Sequence, residues 1–261
     1  MRALLASPLG LLIGISLGAL GGGGSILAVP ALVYAAGQDP KQATTTSLVL
    51  VTLTALIGIA PHWRAGRVRF VPGAVFGLAG VGGSLLGSHW NKSANPDVLL
   101  LAFSGLMLVA AFAMWRRANR APSTTDEPDA PLATGLSPAV ALKVVLAGTF
   151  VGLLTGFFGV GGGFVIVPAL VLALGFTMTE AVGTSLLVIA INSVVALSTR
   201  LQTGSIEWST VVPFTVASMI GVVIGSRLAS TRDSSSLQRW FVGLLVVVAV
   251  YTAVSSAVAL A

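Results

Sequence analysis

The sequence predicts an all-α polytopic membrane protein built as two inverted repeats. Each repeat is a glycine-broken segment followed by three transmembrane helices, eight apolar segments in all. Three observations predict it. Of 261 residues, 55% are hydrophobic and 8% charged, with a mean hydropathy of +0.97, the balance of a chain that lies mostly in lipid. Adding 138 to each position of the first half lays it on the second without a gap over roughly residues 18–114. Two glycine runs, Gly21-Gly22-Gly23-Gly24-Ser25 and Gly159-Val160-Gly161-Gly162-Gly163, interrupt the first apolar segment of each half in the same register.

The repeat rests on residues that apolar composition alone would not align. Gly18, Gly21, Gly23 and Gly24 fall on Gly156, Gly159, Gly161 and Gly162; Pro30 falls on Pro168, and Thr46-Ser47 on Thr184-Ser185. Further on, Gly83, Gly87, Phe103 and Gly105 fall on Gly221, Gly225, Phe241 and Gly243. The first segment of each half is two short runs around the glycines: Leu9 to Leu20 with Ile26 to Ala36, and Ala147 to Phe158 with Phe164 to Leu174. Such runs are too short to cross about 30 Å alone, so each pair is either one kinked span or a re-entrant hairpin. Three spans follow in each half: Ala43 to Ala60, Phe70 to Ser88 and Val98 to Trp115, then Ala181 to Ser198, Trp208 to Ser226 and Leu237 to Val254. Trp63, Trp90, Trp115, Trp208 and Trp240 lie at or near segment ends, as interfacial anchors do. Residues 1–116 therefore form the first repeat, 117–138 a polar Pro-rich linker and 139–261 the second. The apolar N-terminus could pass for a signal peptide, but cleavage would remove one of two matching elements, so we expect it to be retained.

Charge sets orientation. With the glycine-broken segments as hairpins, ten of the fourteen Lys and Arg residues fall on one side: Arg64, Arg67, Arg69, Arg116, Arg117, Arg120, Lys143, Arg227, Arg232 and Arg239. With full spans the best split is nine to five, so the count favours hairpins and hence three crossings per half, which inverts the second repeat. The net charge of +6 sits between apolar runs and forms no basic helical face, which argues against a nucleic-acid partner. The absence of cysteine excludes disulfides and thiolate chemistry, and no Asp or Glu lies mid-span to act as base or metal ligand. The chain reads as no enzyme, with no cofactor and no metal.

Clustered glycines disfavour a helix interior by about 1 kcal/mol each, so the helix breaks there. Broken backbone at membrane depth survives only where protein buries it or a cavity wets it. The half-helices restarting at Ile26 and Phe164 present N–H groups and partial positive charge, which suits an anion without placing a cation in the bilayer. Candidate substrate contacts are Gly22, Gly23, Gly24 and Ser25 with Gly161, Gly162 and Gly163. The hydroxyl stretches that open the next spans add Thr45, Thr46 and Ser47, then Gly183, Thr184 and Ser185. Ser and Thr here either donate to the anion or bond their own helix carbonyls. Asn192, an amide well inside a span, is either a ligand contact or helix glue. His62 and His89, at span ends, are candidates for proton-linked roles.

The motifs Gly159-Val160-Gly161-Gly162-Gly163, Pro168-Ala169-Leu170 and Ala181-Val182-Gly183-Thr184-Ser185 resemble the repeat motif of the sulfite exporter TauE/SafE family of membrane permeases. The first half departs from it, with Gly22, Ser25 and Thr45 where Val160, Gly163 and Gly183 stand in the second. The resemblance implies transport of sulfite, organosulfonates or related small anions across the cytoplasmic membrane, driven by an ion gradient. The expected function is a secondary transporter working by alternating access; a channel-like anion pore or a non-transporting membrane scaffold subunit are the alternatives. Expected partners are the small anionic substrate, a coupling ion (H⁺ or Na⁺) and the bilayer, with a homodimer as a candidate assembly.

Overall fold

The computed structural model describes residues 2–34, 36–38, 40–90, 96–119, 138–158, 163–200 and 208–260. Among them there is no strand, and ten α-helices follow one another. They are α1 Arg2–Leu20, α2 Ser25–Tyr34, α3 Pro40–Arg64, α4 Phe70–Trp90, α5 Pro96–Asn119, α6 Pro138–Phe158, α7 Gly163–Leu172, α8 Met178–Arg200, α9 Trp208–Ser230 and α10 Ser234–Leu260. A 3-10 turn, Gly21–Gly24, joins α1 to α2. Proline opens α3, α5 and α6, where its fixed φ suits a first turn and its missing N–H forfeits no intrahelical bond. α8 opens on a capping box. The Thr177 hydroxyl accepts from the Glu180 N–H at 3.3 Å, and Glu180 Oε2 accepts from the Thr177 N–H at 3.2 Å.

Seven of these helices, α3, α4, α5, α6, α8, α9 and α10, contain stretches long and apolar enough to cross a bilayer. Six are the expected spans. The seventh, α6, corrects an expectation: the pattern places the run before the second glycines at Ala147 to Phe158, but the helix starts at Pro138. Its 21 residues rise about 31 Å. Lys143 explains the difference, because an exposed lysine on a lipid-facing helix lays its stem along apolar surface and carries its ammonium toward the interface. α5 runs on to Asn119, and residues 120–137 of the linker lie outside the described residues.

Helices in lipid gain little from burying apolar surface against one another, so close approach through small residues carries much of the packing. Gly10 faces Phe214, Gly14 faces Ser218 and Gly18 faces Val222, with backbones so close that no Cβ fits; α1 and α9 therefore run in the same direction. Shifting each partner by one repeat gives Gly148 with Phe76, Gly152 with Gly80 and Gly156 with Ser84, and all three are contacts between α6 and α4. Directions elsewhere follow the same way. α4 and α8 are parallel, since Gly73, Gly77 and Gly80 lie beside Thr184, Ile191 and Asn192. By contrast α3 and α8 are antiparallel, with Gly58 beside Leu186 and His62 beside Gly183. Interhelical hydrogen bonds reinforce two seams: the Ser218 hydroxyl donates to the Gly10 carbonyl at 2.7 Å, and Gln238 Nε2 donates to the Met114 carbonyl at 2.8 Å.

Phe76, Phe214, Phe241, Met107 and Leu186 are fully buried between the helices, while Leu78, Leu85, Val109, Phe150 and Val247 face outward. All five tryptophans are exposed at or near helix ends, where their amphipathic rings suit the headgroup region. One end of the bundle gathers polar contacts. Arg67 guanidinium nitrogens reach the Ala229 and Ser230 carbonyls at 3.5 Å, Ser234 Oγ accepts from the Met178 N–H at 3.0 Å, and Arg69 pairs with Glu180. This end holds the C-termini of α3, α5 and α9 and the N-termini of α4, α8 and α10.

Candidate functional site

The site is built around the first glycine run. Leu20 leaves the helical region (φ −117°, ψ 1°), and Gly21 follows at φ +66°, a left-handed conformation that a side chain would strain. The chain then folds back. Gly24 lies on Leu17 and Ile13 of α1, a contact that a straight helix could not make. The Ser25 N–H donates to the Gly22 carbonyl, so the 3-10 turn caps α2 and carries the positive end of that helix back toward Gly21–Gly23. Ser25 Oγ donates to the same carbonyl at 2.7 Å.

Two further elements close on this turn. A Cβ on Gly22 would fall on the Gly163 carbonyl, and one on Gly163 would meet the Ser25 hydroxyl, so the two glycine segments touch backbone to backbone. Gly21 rests on α8, against Val182 and the Ser185 hydroxyl. The restarts expected at Ile26 and Phe164 occur one residue earlier, at Ser25 and Gly163. Gly161 and Gly162 lie outside the described residues.

The remaining candidates divide. Thr45, Thr46 and Ser47 are buried on α3, and Gly183, Thr184 and Ser185 on α8. Ser47 and Ser185, one repeat apart, each donate to the carbonyl three residues back, to Thr44 and Val182, both at 2.8 Å. Of the α8 group only Ser185 faces the glycine turn. Thr184 Oγ1 accepts from the Arg69 N–H at 3.1 Å, and Gly183 packs beneath the Arg67 carbonyl and His62. Asn192 is half-buried two turns further along α8, its amide beside Gly80, and its Oδ1 has no hydrogen-bond partner among the described residues. His89 is exposed at the end of α4, whereas His62 is buried.

Sequence reasoning passes over two features. Phe103 of α5 packs edge-on against Phe164, 4.8 Å between ring centres, and tilted against Phe158 at 5.5 Å. It thus touches the residues on both sides of the second glycine run. Its alignment with Phe241 across the repeat is the signal that could have found it. The second is the Arg69–Glu180 pair, in which Nη2 and Nε lie 2.6 and 3.1 Å from Oε1; the Thr177-x-x-Glu180 spacing announces the cap but not the arginine. Glu180→Gln should weaken both, and because the pair is partly exposed the loss should be about 1 kcal/mol, read as a lower unfolding midpoint in detergent.

The profile of the family described as "Sulfite exporter TauE/SafE" matches residues 6–252. The chain is 34% identical to a "Probable membrane transporter protein" of Xylella fastidiosa (strain 9a5c), over 92% of this chain and 90% of that one. It is 25% identical to the "Probable membrane transporter protein YunE" of Bacillus subtilis over 88% of each chain, and 27% identical to a counterpart in Methanocaldococcus jannaschii over 76% of this chain and 73% of that one. No solved structure matches. Seven helices fit to cross a bilayer among the described residues and a family match over nearly the whole length together place this chain, a multi-pass membrane protein, in the sulfite exporter TauE/SafE family of membrane transporters.

Proposed function

We propose that the chain is a secondary transporter that moves a small sulfur-containing oxyanion, such as sulfite or an organosulfonate, across the cytoplasmic membrane by alternating access. The observation that carries this reading is the meeting of Gly21 and Gly22 with Gly163 and Ser185, which gathers backbone dipoles and hydroxyls without any carboxylate. Oxyanions are well served by such donors in a site of low dielectric. In this reading Gly22, Gly23, Gly24 and Gly161, Gly162, Gly163 offer N–H groups, while Ser25, Ser47 and Ser185 turn from their own carbonyls to the anion. Thr45, Thr46, Thr184, Gly183 and Asn192 form the surrounding shell.

Helix directions support an inverted repeat. α1, α3 and α9 run one way and α4, α6 and α8 the other, so the repeat-equivalent pairs α1/α6, α3/α8 and α4/α9 are each opposed. The fold-back of Gly24 onto α1 supports a re-entrant first segment. Nine of the ten basic residues assigned to one side lie on described helices or loops whose ends meet there, which supports that end as cytoplasmic. Rocking of two inverted halves about a central site would expose it to each side in turn.

Reconstituted into liposomes, the protein should take up sulfite or a sulfonate saturably and against its gradient when a proton or sodium gradient is imposed. Non-saturable, gradient-independent flux would point to a pore instead. Because the chain has no cysteine, topology is directly testable. Ser88→Cys and Ser235→Cys, both exposed, should react with an impermeant maleimide from opposite faces of the membrane; labelling from one face would rule out the inverted arrangement.

A further inference from the structure

His62 lies in the last turn of α3 and is 2% exposed. Its Nε2 is 3.1 Å from the Gly18 carbonyl, which can only accept, so Nε2 carries the hydrogen. In the neutral ring Nδ1 is then a bare acceptor, and it has no hydrogen-bond partner among the described residues. A buried polar atom left in that state is costly and calls for a reason.

The ring touches the two elements that carry the glycine turn and Ser185. Gly18, its partner, is in the last turn of α1 before Gly21, and Gly183, against which its Cβ packs, is two residues before Ser185. Of the charges around it, Arg67 in the following loop is close enough to act on the ring. On its own helix Arg64 is exposed, and in the following loop Arg67 directs its guanidinium at the Ala229 and Ser230 carbonyls. On α8 the nearest carboxylate, Glu180, is held by Arg69, and on α9 Arg227 is exposed. α1 has no ionisable side chain between Pro8 and Leu20, and α2 has only Tyr34.

We propose that Nδ1 of His62 binds the co-transported proton. This deepens the transport reading above and rests on it. A proton on Nδ1 makes the ring a cation next to the site that receives the anion. Proton and anion then favour each other's binding and move in the same direction, and by linkage each raises the other's affinity by the same factor. The ligand class is accordingly a small oxyanion carried with H⁺ rather than Na⁺.

Purified full-length protein in liposomes, with sulfite as the probe, separates the two readings. Counterflow at equal pH on both sides reports anion binding and exchange; accumulation under an imposed pH gradient, with the membrane potential clamped, reports coupling. His62→Gln keeps an N–H donor that can reach the Gly18 carbonyl but cannot bind the proton. We expect the variant still to exchange sulfite, at a half-saturating concentration raised by the lost linkage factor, and to lose pH-driven accumulation at least about fivefold. Retained pH-driven accumulation in His62→Gln, or a wild type that exchanges sulfite but ignores the pH gradient, would overturn the proton assignment while leaving transport intact. Absence of counterflow in the wild type would instead remove the transport reading, and this proposal with it. Should His62→Gln not fold, His89→Gln leaves His62 as the sole histidine. Its protonated fraction, read from ¹⁵N chemical shifts at fixed pH, should rise when sulfite is added, and an unchanged spectrum would overturn the proposal.

Discussion

Gly22→Ala is expected to abolish transport. A Cβ at this position would coincide with the Gly163 carbonyl, so even the smallest side chain forces the two glycine segments apart. Gly163 is the first residue of α7, and displacing it moves the start of that helix together with the donors it presents. A shift near 1 Å in a preorganised site costs on the order of a hundredfold in rate, and sulfite uptake should fall by at least that much. Gly24→Ala is the informative neighbour. Its Cβ would strike Leu17 and Ile13 within α1, so it should weaken the fold-back itself and lower stability more than Gly22→Ala does. Uptake per folded molecule, measured beside the unfolding midpoint, distinguishes the two. Unchanged uptake by Gly22→Ala would take the meeting of the segments out of the mechanism.

The second large effect is on folding. Gly14→Leu and Gly152→Leu should each destabilise the protein by about 3 kcal/mol or more, because their side chains would have to grow into the backbone of Ser218 and of Gly80. These are repeat-equivalent positions on α1 and α6, so the two substitutions should behave alike. Gly105→Leu and Gly243→Leu make the matching controls, since both glycines are exposed and nothing lies within 4 Å of a Cβ built there. Size-exclusion profiles of detergent-solubilised protein after graded heating give the comparison. Loss of folded protein confined to the first pair places the packing energy in the two parallel seams. Equal loss in all four would mean that the lipid-facing glycines are also needed.

Much of this fold was legible because lipid simplifies the problem: every span must satisfy its own backbone, and a run of apolar residues between polar ends leaves few options. The repeat made the pairing of halves readable as well, since one offset placed Gly22 and Gly163 in matching glycine runs. What sequence does not carry is rotation about a helix axis. Thr184 and Ser185 are adjacent, yet one accepts from Arg69 and the other faces Gly21, and no local pattern says which is which. The length of α6 was hidden by Lys143, a charge that reads as loop and stands on a helix. Glu180 was hidden in another way: its cap is local, but Arg69 is 111 residues away in sequence.

The Arg69–Glu180 pair has no counterpart across the repeat. Moving each residue by 138 gives Glu207 and Gln42, two side chains that form no ion pair. One end of the bundle thus carries an ion pair whose repeat-equivalent residues, a carboxylate and an amide, cannot form one. In the alternating-access reading proposed above, this pair would favour closure on the arginine-rich side by about 1 kcal/mol at most, and raising the salt concentration should loosen that preference.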